Sequence, residues 1–592
     1  MWATAGKLMI ALSAFGGFVL TLHVECRLSL ALSPVVVCAG LSLILTLAGM
    51  LNILYPAVMA LYALGWVLLI FEIIRAREKW KKWFCAPILF LVISCLYFGI
   101  RLSGLVLLHY DNFSHWALVV DQMLRIDALP STATPLVIFP SYPVGSATFL
   151  YFFARLAGRQ ESVMAFAQAF WLACCMVPFF LFVRGRKVLG YGLIFGSFLT
   201  MLISNVFISE LLVDTLLAMT GLSAVTVSLA LKNSPRRMLA CGIPLMLLMI
   251  FIKNSGLFFA LLTCGLIFFC WKRQKGLRSA LYVLGLLLAL LCAFEWIWSL
   301  HVRLAFGERI VGKHAISLTV FVENWLQKAE SHTTFQAVKN FVHQLIDPHT
   351  GISQFYLLMV LALTGLWWFQ RDHSAKRATV RNMLWGMVVL VAIWQLSLLG
   401  MYLFSATERE ALNVSGYQRY SLTMVPYLLG IVLLLQLQTL SDIQKKTTSI
   451  RSRVKRAGIL ACVFFITVTP LWIYRDQIEI LWRNINPLQR RANLQAMKEK
   501  YELPEGGRYL LYVDHFSETS YAYYIARYLF QSCEVTVANG SSYQTTFTEA
   551  LPDVDYLLFS DNQPDALAFA LDQKASLGLQ NVEILTIETG KE

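Results

Sequence analysis

An apolar run from Phe84 to Leu108, long enough to cross a bilayer, leads directly into the polar segment His109–Trp116. The polar segment holds a carboxylate, two imidazoles and an indole. Ionisable groups this close to hydrocarbon are costly, and such groups usually serve a reaction or contact a transported polar molecule. Asp111 could therefore be a general base or a cation ligand, or it could cap a helix over 113–124. His115 could be a second catalytic group, orient that carboxylate, or pack.

Three cations elsewhere in the chain have the chemistry that binds phosphate, because an arginine offers a bidentate fork and a lysine a point charge. They are Lys253, Arg409 and Arg419. Each has a structural alternative. Lys253 could extend to lipid head groups, and Arg419 could anchor its helix to lipid phosphate. Arg409 could instead pair with Glu408 or Glu410 in a solvated loop.

Further candidate residues stand at the edges of apolar runs. Glu210 and Asp214 flank the start of one run, where the aspartate could also cap a helix or form a structural pair. Arg101 lies in or near the membrane toward the end of the fourth run. Tyr142 belongs to segment 139–145, which is punctuated by proline and glycine and returns toward the membrane.

The elements that must position these residues are long apolar helices. Of 592 residues, 58% are hydrophobic and 14% are charged, against roughly 45–50% and 25% in soluble domains. Apolar runs of about 17–25 residues recur, each long enough to span the hydrocarbon as a helix. The sequence predicts about fourteen transmembrane helices, at 8–24, 30–48, 52–74, 84–108, 162–183, 188–208, 211–231, 238–252, 256–271, 280–300, 354–370, 384–404, 421–438 and 457–475.

Basic residues gather in alternate loops between these spans, and the positive-inside rule makes those loops cytoplasmic. The net charge of +14 is explained by this pattern, so no nucleic-acid partner is predicted. Both termini, the polar segment and the loops 109–161, 301–353 and 405–420 then lie outside. The twelve cysteines show no CxxC and no Cys/His spacing typical of a metal site.

Three regions are predicted along the chain. Residues 1–83 form three accessory transmembrane helices and 84–475 a transmembrane core. Residues 476–592 read as a small extracytoplasmic α/β domain, without a Gly-x-Gly-x-x-Gly or Walker motif. In the external loop 301–353, amphipathic helices at 321–329 and 335–345 are predicted to lie on the membrane and roof a cavity. The elements predicted for the C-terminal domain are strands at 507–513, 534–537, 556–559 and 582–587 and helices at 517–530 and 564–573.

The order of these motifs over roughly 84–475 resembles the GT-C superfamily of integral-membrane glycosyltransferases. It is similar to bacterial enzymes that transfer a sugar from a polyprenyl-phosphate carrier on the outer face of the membrane. Asn112 stands where many relatives have a second acid, so the resemblance supplies no metal-binding acidic pair. The motifs that carry the resemblance are Asp111 in the first large external loop, Tyr142-Pro143-Val144-Gly145, Glu210 with Asp214, Lys253-Asn254-Ser255-Gly256, and Arg419-Tyr420 after Glu408-Arg409-Glu410.

The resemblance implies an inverting transferase in the bacterial cytoplasmic (inner) membrane, with Asp111 as base and His115 as a second catalytic residue. A polyprenyl-phosphate sugar would be the donor, and the acceptor would be a glycan, a lipid or a protein of the cell envelope. No cofactor is certain; a divalent metal is compatible with the resemblance, but no residue pattern supports it. The substrate-binding residues it implies are Arg101, Tyr142, Glu210, Asp214, Lys253, Glu408, Arg409, Arg419 and Tyr420.

Two other classes of function stay open on the sequence. A transporter or lipid-linked glycan flippase would line a substrate path with the same charges. Against transport, the ionisable residues gather near one face rather than at the midplane, and no inverted repeat is visible. A non-catalytic scaffold for envelope assembly would leave Asp111 and Arg419 free to vary.

Overall fold

Long apolar helices make up most of the chain, and a small α/β unit follows them. The computed structural model describes residues 2–75, 83–184, 187–205, 208–307, 318–331, 333–369, 374–442, 450–473, 489–560 and 563–587. The first helices are α1 (Trp2–Val24), α2 (Ser33–Met50), α3 (Leu54–Arg75) and α4 (Ala86–Arg101). After a π-helical turn at Asn112–Trp116 come α5 (Ala117–Ile126), α6 (Gly145–Ala157) and α7 (Glu161–Met176), the last continued by a 3-10 turn at Val177–Phe182.

Further helices make up the second half of the helical region. Its first five helices are α8 (Lys187–Asn205), α9 (Asp214–Ala230), α10 (Pro235–Ile252), α11 (Gly256–Lys275) and α12 (Leu277–Phe306). They are followed by α13 (Leu318–Glu330), α14 (Thr334–Ile346), α15 (Gly351–Phe369) and α16 (Ser374–Phe404). The last are the short α17 (Glu408–Leu412) and α18 (Tyr417–Leu422), then α19 (Met424–Asp442) and α20 (Ile450–Ile473).

Among the described residues, eleven helices are long and apolar enough to cross a membrane. Three shorter apolar helices, Ala86–Arg101, Lys187–Ile203 and Asp214–Ala230, occupy the positions of further predicted spans. Each predicted span has a helix at its position, and the protein is a multi-pass helical membrane protein. The exact number of crossings and their orientation stay predictions. Segments 76–82 and 443–449 belong to loops that are predicted to be cytoplasmic from their basic residues. These two segments and the predicted boundary at 475/476 lie outside the described residues.

The apolar run before the polar segment is only partly helical, which corrects the predicted span. Helix α4 ends at Arg101, well before the predicted end at Leu108. The chain turns at Gly104, whose backbone is left-handed (φ +70°). The N–H of Leu107 donates to the Glu161 carboxylate at 2.6 Å, and the next N–H donates to Glu210 at 3.1 Å. Side-chain carboxylates, not helical carbonyls, therefore accept from this stretch of backbone, which stays outside the helix.

The three N-terminal helices pack into the body of the protein rather than beside it. Ser42 of α2 donates to the Gly145 carbonyl at 2.5 Å, and Thr46 shares a hydrogen bond with Thr148 at 3.0 Å. A Cβ on Gly145 would lie 2.7 Å from the Phe251 carbonyl, so α6 also approaches α10 closely. Small and hydroxyl side chains allow such close packing between apolar helices.

The C-terminal unit, residues 489–587 as described, is built on a parallel sheet. Its strand order is β2-β1-β3-β4, and the central strand β1 is buried along its whole length. Strands predicted at 507–513, 534–537, 556–559 and 582–587 and both predicted helices have observed counterparts. In chain order the elements are α21 (Gln489–Lys500), β1 (Tyr509–Val513), α22 (Thr519–Phe530), β2 (Val535–Asn539), α23 (Tyr543–Ala550), β3 (Tyr556–Phe559), α24 (Pro564–Ser576) and β4 (Glu583–Thr586).

The C-terminal unit is docked on the helical body. Arg125 at the end of α5 pairs with Glu505 at 2.8 Å. Phe113 in the π-helical turn packs against Tyr528 of α22, with ring centroids 5.2 Å apart. Buried apolar residues of α21, β1 and α22 are continuous with the core of the helix bundle. The C-terminal unit therefore rests directly on the segment that carries the candidate catalytic residues.

Candidate active site

A cavity of about 1250 Å³ lies at the ends of several helices. Its walls come from the polar segment, the α10–α11 junction, α13, α16 and the α17–α18 region. Ligand pockets of roughly 300–1,000 Å³ hold drug-sized molecules, so this cavity has room for the head group of a lipid-linked substrate.

Four charged side chains form a row along the cavity, with acid and base alternating. Arg419 contacts the Asp111 carboxylate through Nη1, and its Nε lies 3.9 Å from Asp214 Oδ2. The other carboxylate oxygen of Asp214 accepts from Lys253 Nζ at 2.6 Å. All four residues line the cavity. We call Asp111, Arg419, Asp214 and Lys253 the charged row; they are far apart in sequence and adjacent in space.

Lys253 owes its position to a break between two helices. Helix α10 ends at Ile252, the backbone of Lys253 is extended (φ −162°, ψ 151°), and α11 begins at Gly256. A Cβ on Gly256 would lie 1.9 Å from the Met249 carbonyl oxygen, so only glycine allows the chain to turn this tightly. The Lys-x-x-Gly break predicted from the sequence is present, and it directs the lysine into the cavity.

Arg419 and Tyr420 lie on the short helix α18, which follows Gly416 in a left-handed conformation (φ +75°). The tyrosine ring lies close to both cations of the row. Its centroid is 4.9 Å from the Arg419 guanidinium and 5.1 Å from Lys253 Nζ. The Tyr420 hydroxyl also accepts from Arg419 Nη2 at 3.2 Å. An aromatic face and a hydroxyl thus hold both cations in one place.

Asp111 does not adopt the helix-capping alternative. Its side chain makes no capping hydrogen bond to the π-helical turn that follows it, and it contacts Arg419 instead. Its backbone N–H donates to His109 Nδ1 at 3.2 Å. His109, which the sequence did not single out as a site residue, thus contacts the backbone of Asp111 directly.

Glu210 lies behind the cavity rather than in it. Its carboxylate accepts from the Leu108 N–H and from the Asn112 side-chain amide. The side-chain oxygen of Asn112, Oδ1, in turn accepts from the Leu211 N–H at 3.0 Å. Burial raises the pKa of Glu210 to about 7. If an aspartate replaced Asn112, its carboxylate would face the Glu210 carboxylate and could donate no hydrogen bond to it. Glu210 therefore joins two segments structurally, and it is not among the residues that line the cavity.

His115 is buried among aromatic rings. Its ring meets Trp116 and Tyr142 edge to face, with centroids 4.6 and 4.9 Å away. Burial, with a smaller contribution from Lys253, lowers the pKa of His115 to about 3, so the imidazole is neutral at pH 7. Within the described part of the chain it makes no hydrogen bond to Asp111. Packing, one of the roles left open, is what the contacts show.

Aromatic rings form two walls beside Asp111. In one wall Tyr142 stacks between Trp116 and Phe139, at centroid distances of 6.0 and 5.5 Å. In the other wall Tyr110 stacks on Tyr524 of the C-terminal unit at 6.5 Å, and both line the cavity. Aromatic faces of this kind offer a flat apolar surface to a sugar ring. The sequence gave no signal that Tyr524 would reach the site.

Besides Glu210, three predicted substrate-binding residues are not among those that line the cavity: Arg101, Glu408 and Arg409. Arg101 is buried at the end of α4. The other two begin α17, whose first turn is fixed by a capping box between Thr407 and Glu410. That box leaves Arg409 exposed to solvent and places Glu410 at the cavity instead.

The predicted amphipathic helices at 321–329 and 335–345 are observed as α13 and α14. From α13, Phe321, Val322 and Trp325 line the cavity, and the tryptophan stacks on Phe404 of α16 at 5.1 Å. This wall is apolar, in contrast to the charged row. The cavity therefore combines a charged region with a region suited to hydrocarbon.

Among the described residues, no group of three or more His, Cys, Asp or Glu side chains lies together as a metal-ligand set. Comparison with family models, with curated proteins and with solved structures finds no match to this chain. The fold defines a multi-pass helical membrane protein with a large cavity at one end of its helices.

Proposed function

We propose that the protein is an inverting membrane glycosyltransferase of the GT-C type. It would transfer a sugar from a polyprenyl-phosphate carrier to a cell-envelope acceptor at the external face of a bacterial inner membrane. The observation that carries the proposal is the charged row, Asp111, Arg419, Asp214 and Lys253, within a cavity of about 1250 Å³ that also has an apolar wall. A base, two phosphate-binding cations and room for a lipid meet at one place.

The distribution of charge supports the external face. Helices α9, α10 and α11 run antiparallel, with Asp214 and Lys253 at one end. Basic residues stand at their other end, among them Lys232, Arg236 and Lys272. The 17 residues of α9 separate the two ends by about 25 Å. Under the positive-inside rule the basic end is cytoplasmic, so the cavity faces outward.

The two cations suit a phosphodiester-linked donor. Arg419 and Lys253 are paired with carboxylates, and a phosphate entering the row would compete with these carboxylates for the cations. When Arg419 turns its guanidinium to the phosphate, the Asp111 carboxylate is released from its ion pair. Donor binding would in this way prepare the base, and Asp214 would keep Lys253 in position.

The reaction then needs a single displacement. Asp111 accepts the proton of the acceptor hydroxyl, and the resulting oxygen attacks the anomeric carbon of the sugar. A new carbon–oxygen bond forms as the bond to the phosphate oxygen breaks. The polyprenyl phosphate leaves with its negative charge against Arg419 and Lys253. Because no carboxylate forms a covalent intermediate in this scheme, the configuration at the anomeric carbon inverts.

The remaining walls fit the other parts of the substrates. The stack of Trp116, Tyr142 and Phe139 offers a surface for a sugar ring beside the base. The apolar side chains of α13 and α16 offer one for the prenyl chain. The acceptor would be a glycan, a lipid or a protein that reaches Asp111 from the aqueous side.

The test compares Asp111→Asn with wild type in lipid nanodiscs, using radiolabelled polyprenyl-phosphate sugars and an envelope extract as acceptor. Asp127→Asn is the matched control, because Asp127 also pairs with an arginine, Arg155, at 2.9 Å, and does not line the cavity. Transfer should fall by at least about 100-fold in Asp111→Asn, with donor binding kept. It should stay near wild type in the control.

Transfer that survives in Asp111→Asn would remove the carboxylate from the chemical step. A wild-type protein that transfers no sugar, but moves a labelled lipid-linked glycan across liposome membranes, would establish the flippase alternative and overturn the proposal.

A further inference from the structure

Arg491, in α21 of the C-terminal unit, makes contacts that reach the backbone leading to Asp111. We propose that Arg491 is a positioning residue for this backbone, so that the C-terminal unit forms part of the catalytic centre. The proposal rests on the proposed function in giving Asp111 its catalytic role. It goes beyond that function because it gives a role in catalysis to the C-terminal unit, which is separate in sequence from the helical core.

The contacts centre on Leu107. Arg491 is buried, and its Nη1 donates to the Leu107 carbonyl oxygen. Its Nη2 donates to Glu161 Oε1 at 2.7 Å. The other oxygen of Glu161 accepts from the Leu107 N–H at 2.6 Å. Both backbone groups of Leu107 are therefore held by one buried ion pair, four residues before the base.

Arg491 also reaches the other side of the base. Its guanidinium lies 5.1 Å from the ring centroid of Phe113, two residues after Asp111. That ring packs against Tyr521 and Tyr528 of α22, at 6.1 and 5.2 Å. Residues before and after the base are thus held by the C-terminal unit. The segment is also held by the helical body, through Glu210.

The geometry favours positioning over simple stabilisation. A buried ion pair gains little net stability, because the desolvation of two charges offsets their attraction. Here the Arg491 guanidinium donates to a carboxylate and to a backbone carbonyl, and these two hydrogen bonds fix the direction of the chain. Displacement of a catalytic group by about 1 Å is enough to cost on the order of 100-fold in rate.

A second ion pair between the same two parts of the protein provides the control. Arg125 of α5 pairs with Glu505 of the C-terminal unit at 2.8 Å, and both side chains are more exposed than those of Arg491 and Glu161. This pair docks the C-terminal unit without touching the segment that carries Asp111. Arg125 also pairs with Asp121 of its own helix at 2.8 Å. Both Arg125→Lys and Arg491→Lys keep the charge and remove the fork, but only Arg491→Lys does so at the backbone that leads to Asp111.

The experiment measures both variants as full-length protein in nanodiscs, with Glu161→Gln as a third. In Arg491→Lys we expect kcat to fall about 10- to 100-fold while the donor KM and the thermal midpoint stay close to wild type. Hydrogen exchange of the peptide spanning 105–116 should become faster. Glu161→Gln should behave in the same direction, and Arg125→Lys should change neither kcat nor this peptide.

Equal losses of kcat in Arg491→Lys and Arg125→Lys, or unchanged exchange at 105–116, would overturn the proposal. So would a kcat loss in Arg491→Lys that is matched by a fall in thermal midpoint and reversed by stabilising lipid. The exchange measurement needs no turnover. If wild type transferred no sugar, the proposed function would fail, and the exchange data would still decide whether Arg491 holds the segment.

Discussion

At the scale of single residues, the charged row is balanced, and this balance constrains its function. Two carboxylates and two cations alternate. Removal of Arg419 would leave Asp111, and removal of Asp214 would leave Lys253, without its counter-ion in a partly buried place. Arg419 is the member with most contacts, because it touches Asp111, Asp214 and Tyr420. The row should therefore be most sensitive to the shape of this side chain.

Arg419→Lys tests that sensitivity. A lysine keeps the positive charge but supplies one ammonium in place of a planar fork, and it cannot serve two carboxylates and a phosphate in the same geometry. We expect kcat/KM for the donor to fall roughly 100-fold, as for the loss of one electrostatic donor to a developing charge. Steady-state transfer with a labelled polyprenyl-phosphate sugar measures this.

Arg155→Lys is the control for this substitution, since Arg155 pairs with Asp127 at 2.9 Å and lies outside the cavity lining. If both variants retained wild-type kcat/KM, charge alone would suffice at position 419, and phosphate recognition by the fork would be refuted.

At the scale of elements, the sequence predicted what depends on apolar length and missed what depends on distant polar contacts. Runs of apolar residues located the long helices, and alternating short strands and helices located the sheet of the C-terminal unit. The non-helical stretch that follows α4 was missed, because the carboxylates that accept from its backbone, Glu161 and Glu210, come from other parts of the chain.

The candidate site shows the same division. Asp111 was found from its position directly after an apolar run. Asp214, Lys253 and Arg419 were found from the motifs that resemble the GT-C superfamily, and the structure brings all four together. The contribution of Arg491 carried no sequence signal, since an arginine on a polar helix resembles any solvated residue until the tertiary contact is known.

The turn at 208–213 contacts the polar segment through Glu210, and this contact should make the stability of the protein depend on pH. Burial raises the pKa of Glu210 from an ordinary value of 4.5 to about 7, so between these values the folded protein binds more protons than the unfolded chain. Stability therefore falls as pH rises from 4.5 to about 7, by roughly 3 kcal/mol at most, and levels off above. Glu210→Gln should remove this decline.

The measurement is the thermal midpoint of purified protein from pH 4.5 to 8, taken as the difference between wild type and Glu210→Gln. Other groups titrate equally in both proteins and cancel in that difference. Glu549→Gln, at an exposed position of α23, controls for loss of a negative charge. A difference that stayed flat across this range would mean that Glu210 is ionised in the fold at no cost.

At the scale of the whole molecule, the C-terminal unit and the cavity must share one side of the membrane. Tyr524 lines the cavity, and Arg491 holds the backbone beside the base. The proposed transfer at the external face therefore requires the C-terminal unit to be external too. The loop between α1 and α2, which contains Arg27, must then be cytoplasmic under the positive-inside rule.

Two native cysteines make this orientation measurable. Cys533 is exposed in the C-terminal unit, and Cys26 is exposed between α1 and α2. A membrane-impermeant maleimide added to intact spheroplasts should label Cys533 at once and Cys26 only after permeabilisation, with peptide mass spectrometry reading each site. Cys533→Ser and Cys26→Ser identify the two signals. Labelling of Cys26 alone in intact spheroplasts would turn the cavity toward the cytoplasm and refute transfer at the external face. Labelling of both would contradict the predicted topology, which places Cys26 and Cys533 on opposite sides of the membrane. The number of membrane crossings between these two residues would then differ by one from the predicted number.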